Sequence, residues 1–388
     1  MPGVTTAAMR IMLLYRALTV GGTERQIVAL ATGLAKRGNA VTVVTFYDDN
    51  PLGEGLNRAG VELVSLGKRG RWEIVGFVAR FLSEVRRLRP EILYSFLPMT
   101  NLVALAARLV SPRLPLVWGV RTAFLVLDNY DRLTRLSYRA EAWLARWADL
   151  VVANSYAGGD DLARRGYPGD RLRIVPNGID TERFSPDPAS GRRVRAEWGI
   201  DQGTVLVGTV ARLKPEKGIP LFLEAAALVV LRDERVRFVV VGGGDAEYRA
   251  TLEAQGERLG IASRLLWAGA RDDMPAVYNA LDLLVLSSPN EGTSNAVLEA
   301  MACGISVVAT DVGDNARSIS TWGRVAAPGD PALLANAISL QLERRAADGT
   351  ALGAGCRQHI LDNYSMAAMV EKTEALLQEL VGPTDTRS

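Results

Sequence analysis

The chain has 388 residues, 48% hydrophobic and 23% charged, with a formal net charge of +2. That length exceeds what one hydrophobic core usually organises, so two domains are expected, and the absence of any run of about eighteen apolar residues argues against a membrane-spanning helix. Two cysteines, Cys303 and Cys356, make a disulfide framework implausible and fit a reducing cytoplasm.

The opening MPGVTTAAMRIMLLYRAL runs into a periodic pattern, so it reads as a first buried strand rather than a signal peptide. In the first half, β-rich apolar runs at 11–15, 41–45, 61–65, 92–95, 116–119, 150–153 and 172–175 alternate with helical patterns at 24–36, 72–88, 101–110, 130–148 and 157–165. Such alternation implies parallel strands joined by right-handed helical crossovers. Gly21 and Gly22 lie between the first strand and helix, where backbone can approach a phosphate or acceptor at a helix N-terminus. A glycine pair also serves as a plain turn. Arg121 and Thr122, after the strand ending WGV, are candidate acceptor or sugar contacts.

Charge is unevenly placed. Residues 1–180 carry 24 Lys and Arg against 16 Asp and Glu, hence +8, and residues 181–388 carry 21 against 27, hence −6. Much of the basic excess lies in segments 68–90 and 132–147. Both read as amphipathic helices with an apolar face on a sheet and arginines in water; the same arginines could attract an anionic membrane or a phosphate-bearing acceptor.

A Pro-, Asp- and Arg-rich stretch, FSPDPASGRRVRAEWGID, opens a second series. Its strands are predicted at 205–210, 238–241, 265–267, 283–286 and 306–309, and its helices at 220–231, 248–259, 275–280, 295–301 and 331–342. The expected class is α/β, with two doubly wound, Rossmann-like parallel sheets facing an interdomain cleft: residues 1–180, residues 181–365, and a tail 366–388 with helical periodicity.

The segment EGTSNAVLE, from Glu291 to Glu299, sits between the fourth of these strands and a helix. Ser294 and Asn295 suit a helix N-cap, and the free amides of the first turn favour a phosphate. Glu299, about one turn in, could accept hydrogen bonds from vicinal hydroxyls, and Glu291 could face hydroxyls on the other side. One phosphate flanked by two sets of hydroxyls describes a nucleotide sugar. Arg212 and Lys217, five residues apart around a Pro-containing turn, supply a bidentate fork and a point charge for a diphosphate. No Asp-x-Asp metal-ligand pair occurs, so no metal and no cofactor are expected. The glycines 242–244, with Gly243 at their centre, lack the full G-x-G-x-x-G pattern and read as a tight turn near the nucleotide rather than a nicotinamide site.

The string EGTSNAVLEAMACGISVVATDVGDNAR resembles the signature of the family-4 retaining glycosyltransferases of the GT-B fold, whose two glutamates are separated by seven residues. GGTERQIVALATGLAKRGNAVTVVT, VPNGID, GTVARLKPEKGIPLFLEAAALV and WAGARDDMPAVYNALDLLVLSSPNEG fit the family's order over nearly the whole chain. The resemblance implies that Arg212, Lys217 and Glu291 are catalytic. It places Glu299 on the ribose, Gly292, Thr293, Ser294 and Asn295 around sugar and phosphate, with Thr293 and Ser294 tuning donor choice, and Ala270 and Arg271 on the base. It also implies a tail that crosses back to the first domain. Many relatives carry a histidine near the strand 92–95, where this chain has Tyr94, Ser95 and Phe96; the sole histidine, His359, reads as structural. In the front-face mechanism attributed to the family, the departing phosphate accepts the acceptor's proton, so no protein base is needed.

The implied activity is metal-independent transfer of a hexose from a nucleotide diphosphate sugar to a carbohydrate or lipid-linked acceptor, in surface polysaccharide or glycolipid assembly. The base, uracil, guanine or adenine, stays open. No nucleic-acid partner is expected, and the location would be cytoplasmic or peripheral at the inner membrane face. Alternatives are an epimerase or hydrolase of the same fold, and a non-catalytic nucleotide-sugar-binding subunit.

Overall fold

The computed structural model describes residues 8–19, 21–70, 72–121, 132–201 and 203–382. The chain divides into two compact units, one made of residues 1–178 with 366–388, the other of residues 179–365.

The first unit runs β1 (Arg10–Tyr15), α1 (Gly22–Lys36), β2 (Ala40–Thr45), α2 (Glu54–Arg58), β3 (Glu62–Ser65), α3 (Val75–Leu88), β4 (Ile92–Phe96), α4 (Pro98–Ala104), β5 (Leu116–Val120), α5 (Arg132–Leu144), β6 (Leu150–Ala153), α6 (Tyr156–Arg164) and β7 (Leu172–Ile174). Its seven strands lie in the order β3-β2-β1-β4-β5-β6-β7, all parallel. Every residue of β4 and β5 is buried, as expected for strands covered by helices on both faces.

The second unit runs α7 (Pro188–Glu197), β8 (Val205–Val210), α8 (Ile219–Val230), β9 (Val236–Val241), α9 (Ala246–Arg258), β10 (Leu265–Gly269), α10 (Met274–Ala280), β11 (Leu283–Leu286), α11 (Asn295–Ala302), β12 (Val307–Thr310), α12 (Asn315–Ile319), β13 (Arg324–Ala326) and α13 (Pro331–Tyr364). The sheet order is β10-β9-β8-β11-β12-β13, again parallel throughout. α14 (Met366–Val381) belongs to the first unit, where Met369, Val370 and Leu377 join Ile27, Leu30 and Leu34 of α1 in one apolar cluster. Gly33 permits the approach: a Cβ there would lie 2.4 Å from Val370 Cγ2. Arg37 and Asn39 bind the Glu374 carboxylate from the other side, both at 2.5 Å.

Several expectations need correction. The helix predicted from 72 begins only at Val75, after a turn, and the one predicted from 101 starts at Pro98 and tightens into a 3-10 turn over Leu105–Leu109. The helix predicted to end at 342 continues to Tyr364 across a break at Asp348, whose φ of −154° and ψ of 64° are not helical. Four elements were not predicted: α7, inside the Pro-, Asp- and Arg-rich stretch that opens the second series, the five-residue helices α2 and α12, and β13, three residues long with two of them exposed.

In each sheet the chain reverses direction once, between β1 and β4 in the first unit and between β8 and β11 in the second. Such switch points open a crevice outside the carboxyl ends of the strands, where ligands of doubly wound folds bind.

Candidate active site

At the switch point of the second unit, the loops after β8 and β11 bring the predicted residues together. Lys217 Nζ lies 2.6 Å from Glu291 Oε1, the two side chains being 24% and 12% exposed. Lys217 ends a 3-10 turn, Pro215–Lys217, closed by Gly218 at φ +63°. A Cβ on Gly218 would sit 2.0 Å from the Ser287 carbonyl oxygen, and Ser287 Oγ donates to the Gly218 carbonyl at 2.8 Å. The loop carrying the cation is thus pinned to the strand end that carries the carboxylate. Arg212 is exposed and forms no ion pair among the described residues.

Backbone bonds fasten the neighbouring strand ends. Leu213 N donates to Gly243 O at 2.9 Å and Gly242 N to Gly269 O at 2.8 Å. Gly242, at φ +150°, admits no side chain because a Cβ would meet Ala211 O at 1.8 Å. Ala270 is exposed and follows β10. The Arg271 side chain is taken up by Asp273 and Glu197, an arrangement that raises its pKa, first through the Asp273 hydrogen bonds.

Beyond Glu291, Gly292 O accepts from Asp314 N at 3.0 Å, and the Thr293 hydroxyl donates to Asp314 Oδ2 at 3.0 Å. Gly313, at φ +58°, lies so close that a Cβ would be 2.0 Å from Glu291 O. Ser294 is the N-cap of α11, but its side chain makes no capping bond, so the cap expected from its hydroxyl is not formed. Asn295 opens the helix, its Oδ1 buried without a hydrogen-bond partner among the described residues. Glu299, one turn on, accepts from the buried Tyr278 hydroxyl at 2.8 Å. Burial, then the Glu299 charge, raises the Tyr278 pKa well above its ordinary value, so this phenol remains a donor. Sequence reasoning missed Tyr278, Ser287, Gly313 and Asp314, which act through contacts 21 to 69 residues apart.

In the first unit, Gly21 caps α1 and Gly22 begins it. A Cβ on Gly21 would meet Glu24 Oε2 at 2.3 Å, whereas one on Gly22 would meet nothing within 4 Å, so the fold itself does not demand glycine at the second position. Tyr15 donates to Glu24 Oε1 at 3.2 Å. Arg121 lies with its guanidinium 5.2 Å over the Phe96 ring and donates to Asn177 Oδ1 at 2.9 Å; burial lowers its pKa. Thr122 lies outside the described residues.

Next to Tyr94, Ser95 and Phe96 is a feature with no sequence signal: Leu97 at φ 75°, ψ 156°, a region occupied almost only by glycine and costing about 1–3 kcal/mol. It is held by Leu97 N to Gly119 O at 3.0 Å, and by the Thr100 hydroxyl at 2.8 Å and Asn101 N at 3.0 Å, both donating to its carbonyl. Behind it runs a buried polar chain. Ser95 Oγ donates to Asn101 Oδ1 at 2.7 Å, and Asn101 Nδ2 donates to Glu141 Oε1 at 2.5 Å.

Glu141 is fully buried, and desolvation pushes its carboxyl up to about 7. The unfolded chain ionises near pH 4, so the folded state holds the extra proton between there and pH 7. Stability from this group is therefore complete in acid and lost as pH rises through 7, up to about 3 kcal/mol. Glu141→Gln, which retains an acceptor for Asn101, is expected to flatten that decline; parallel denaturant midpoints of variant and parent from pH 5 to 8 would contradict it.

His359 bonds the Ser318 carbonyl at 3.1 Å within the second unit, and burial lowers its pKa.

Comparison with known proteins bears on these loops. Residues 20–183 match the Glycosyltransferase Family 4 model, and residues 204–344 match the Glycosyl transferases group 1 model. A D-inositol 3-phosphate glycosyltransferase of Geodermatophilus obscurus is 31% identical over 375 residues, 87% of this chain and 80% of its own length. A 2-deoxystreptamine glucosyltransferase of Streptomyces kanamyceticus is 30% identical over 247 residues, covering 62% and 63%. An inositol phosphate glycosyltransferase of Salinispora arenicola is 35% identical over 254 residues, covering 61% and 55%. The chain thus spans less than two thirds of these last two relatives. Among solved structures, Anabaena HepE in complex with UDP superposes with a TM-score of 0.80 at 24% identity, over 95% of this chain and 99% of that one. The chain belongs to the family-4, group 1 glycosyltransferases and has their GT-B fold.

Proposed function

We propose that this protein transfers a hexose, with retention of anomeric configuration and without a divalent metal, from a nucleotide diphosphate sugar to an acceptor hydroxyl on a carbohydrate or a lipid-linked carbohydrate. The observation that carries the reading is the Lys217–Glu291 pair at the switch point of the second sheet, with Glu299 one turn into the adjoining helix. Lys217 and Arg212 would neutralise the charge that develops on the departing diphosphate, assisted by the uncapped amides of α11. Glu291 would accept from hydroxyls of the sugar while keeping Lys217 aimed at the phosphates. Glu299, oriented by Tyr278, would accept from the ribose hydroxyls. As the bond between anomeric carbon and phosphate oxygen breaks, the acceptor oxygen bonds to the same face of that carbon and its proton passes to the leaving phosphate oxygen. No protein base enters the step.

Support for a nucleotide-sugar donor comes from HepE, which was also solved with UDP-glucose. A role in polysaccharide or glycolipid assembly is suggested by a lipopolysaccharide core mannosyltransferase of Rhizobium meliloti, 34% identical over 174 residues. The test is nucleotide-sugar binding by calorimetry. Glu299→Ala is expected to weaken donor binding by about 1.5–3 kcal/mol, the range for hydrogen bonds to a charged group. Tyr278→Phe, which removes one hydrogen bond to the carboxylate and keeps the carboxylate itself, should weaken binding by only a few-fold. Unchanged donor affinity in Glu299→Ala would remove the ribose assignment.

A further inference from the structure

α5 is built inside out. Its inward face carries Ser137, Tyr138 and Glu141, at 9%, 8% and 0% exposure. Its outward face carries Leu136 at 61% and Trp143 at 60%, and the 3-10 turn that follows, Ala145–Trp147, adds Trp147 at 41%. Arg139 and Arg146 are exposed on the same stripe, at three- and four-residue steps from Leu136 through Trp143 to Trp147. The sequence expectation for this helix, apolar face inward and arginines alone in water, is therefore wrong. For α3 it holds: Phe77, Phe81 and Val85 face the core, Arg80 pairs with Glu73, and Arg87 pairs with Glu62 and Glu84.

The outward stripe is ordered. The two indoles meet edge to face, with centroids 5.1 Å apart, and the Arg146 guanidinium lies 4.3 Å over Trp143 and 5.4 Å over Trp147. The exposed charges on the stripe itself are of one sign. On α5 and its turn Glu141 is buried while Arg139 and Arg146 are exposed; Asp149, which follows, is paired with Arg108 at 2.7 Å.

We infer that this face of α5 docks on an anionic lipid surface. Indole and leucine side chains interleaved with arginine suit the boundary between headgroups and acyl chains, where tryptophan settles and each basic residue is drawn to anionic lipid. The exposed charges of the stripe, Arg139 and Arg146, are both positive, and lipid phosphate is their complement. The docking face lies in the first unit and uses none of the donor loops, so its failure leaves the donor reading standing.

Co-sedimentation of the full chain with vesicles tests it, using phosphatidylcholine alone and phosphatidylcholine with one third phosphatidylglycerol. The chain is expected to partition onto the anionic vesicles and to be released by salt. Trp143→Ser with Trp147→Ser should lower partitioning by about tenfold or more, and Arg139→Gln and Arg146→Gln by about fivefold each. An unchanged melting temperature of each variant, and an unchanged shift on adding donor, show that the fold is kept. Absence of binding to anionic vesicles overturns the inference, as does equal binding by parent and variants. Concentration-dependent self-association abolished by the tryptophan substitutions would also overturn it, by assigning the face to a second copy.

Discussion

Lys217→Ala is expected to lower the rate of sugar transfer by about a hundred- to a thousandfold, the usual effect of deleting one preorganised group aimed at developing negative charge. The same change leaves the Glu291 carboxylate, 12% exposed, without its partner at 2.6 Å. A stability loss of about 1–3 kcal/mol should accompany the rate effect, less than for a fully buried pair because Lys217 retains 24% exposure. A double-mutant cycle separates the two consequences. Lys217→Ala combined with Glu291→Ala should recover most of the stability, since no orphaned charge remains, and recover none of the activity. Activity restored by the second substitution would mean that the pair is an internal tie rather than a diphosphate clamp. Steady-state kinetics over a range of donor concentrations, beside denaturant unfolding, reads both quantities.

Gly218→Ala should be more damaging to the fold than its chemistry suggests. The new methyl would be 2.0 Å from the Ser287 carbonyl oxygen, and φ of +63° disfavours any side chain there. The methyl is fixed directly to the backbone and the atoms it meets are the Ser287 carbonyl, with no flexible end to give way, so a loss of about 2–4 kcal/mol is expected. Displacement of the Pro215–Lys217 turn should also weaken donor binding. Gly22→Ala is the useful contrast: with nothing within 4 Å of the added carbon, stability should stay within about 0.5 kcal/mol. Comparable melting temperatures for the two variants would refute the claim that backbone crowding sets the position of Lys217.

Much of the fold was legible because buried parallel strands are continuous β-branched runs. VTVVT, LVV and VVV announce themselves whatever surrounds them. β13 failed that test, because a three-residue edge strand with two exposed positions has no run to recognise. Direction of facing was harder than existence. Periodicity marked α5 as a two-faced helix, yet which face turns inward depends on Asn101, forty residues away, offering its amide to Glu141. The site divides in the same manner. Lys217, Glu291 and Glu299 stand out through spacing and charge type, whereas Tyr278, Ser287 and Gly313 look unremarkable in sequence because their roles exist only once loops meet. Ser294 shows the reverse error: a residue type suited to capping occupies the capping position but leaves the amides unbonded.

The return of α14 to the first unit has a temporal meaning. During synthesis, residues 1–178 emerge well before 366–381, and in the interval the apolar side of α1, with Ile27, Leu30 and Leu34, lacks the partner that covers it in the finished molecule. The earlier-made unit is therefore the one completed last, after the whole intervening unit has left the ribosome. A nascent chain stalled shortly before residue 366 should present a closed second sheet and an unfinished first one, with α1 as the segment that holding chaperones would find.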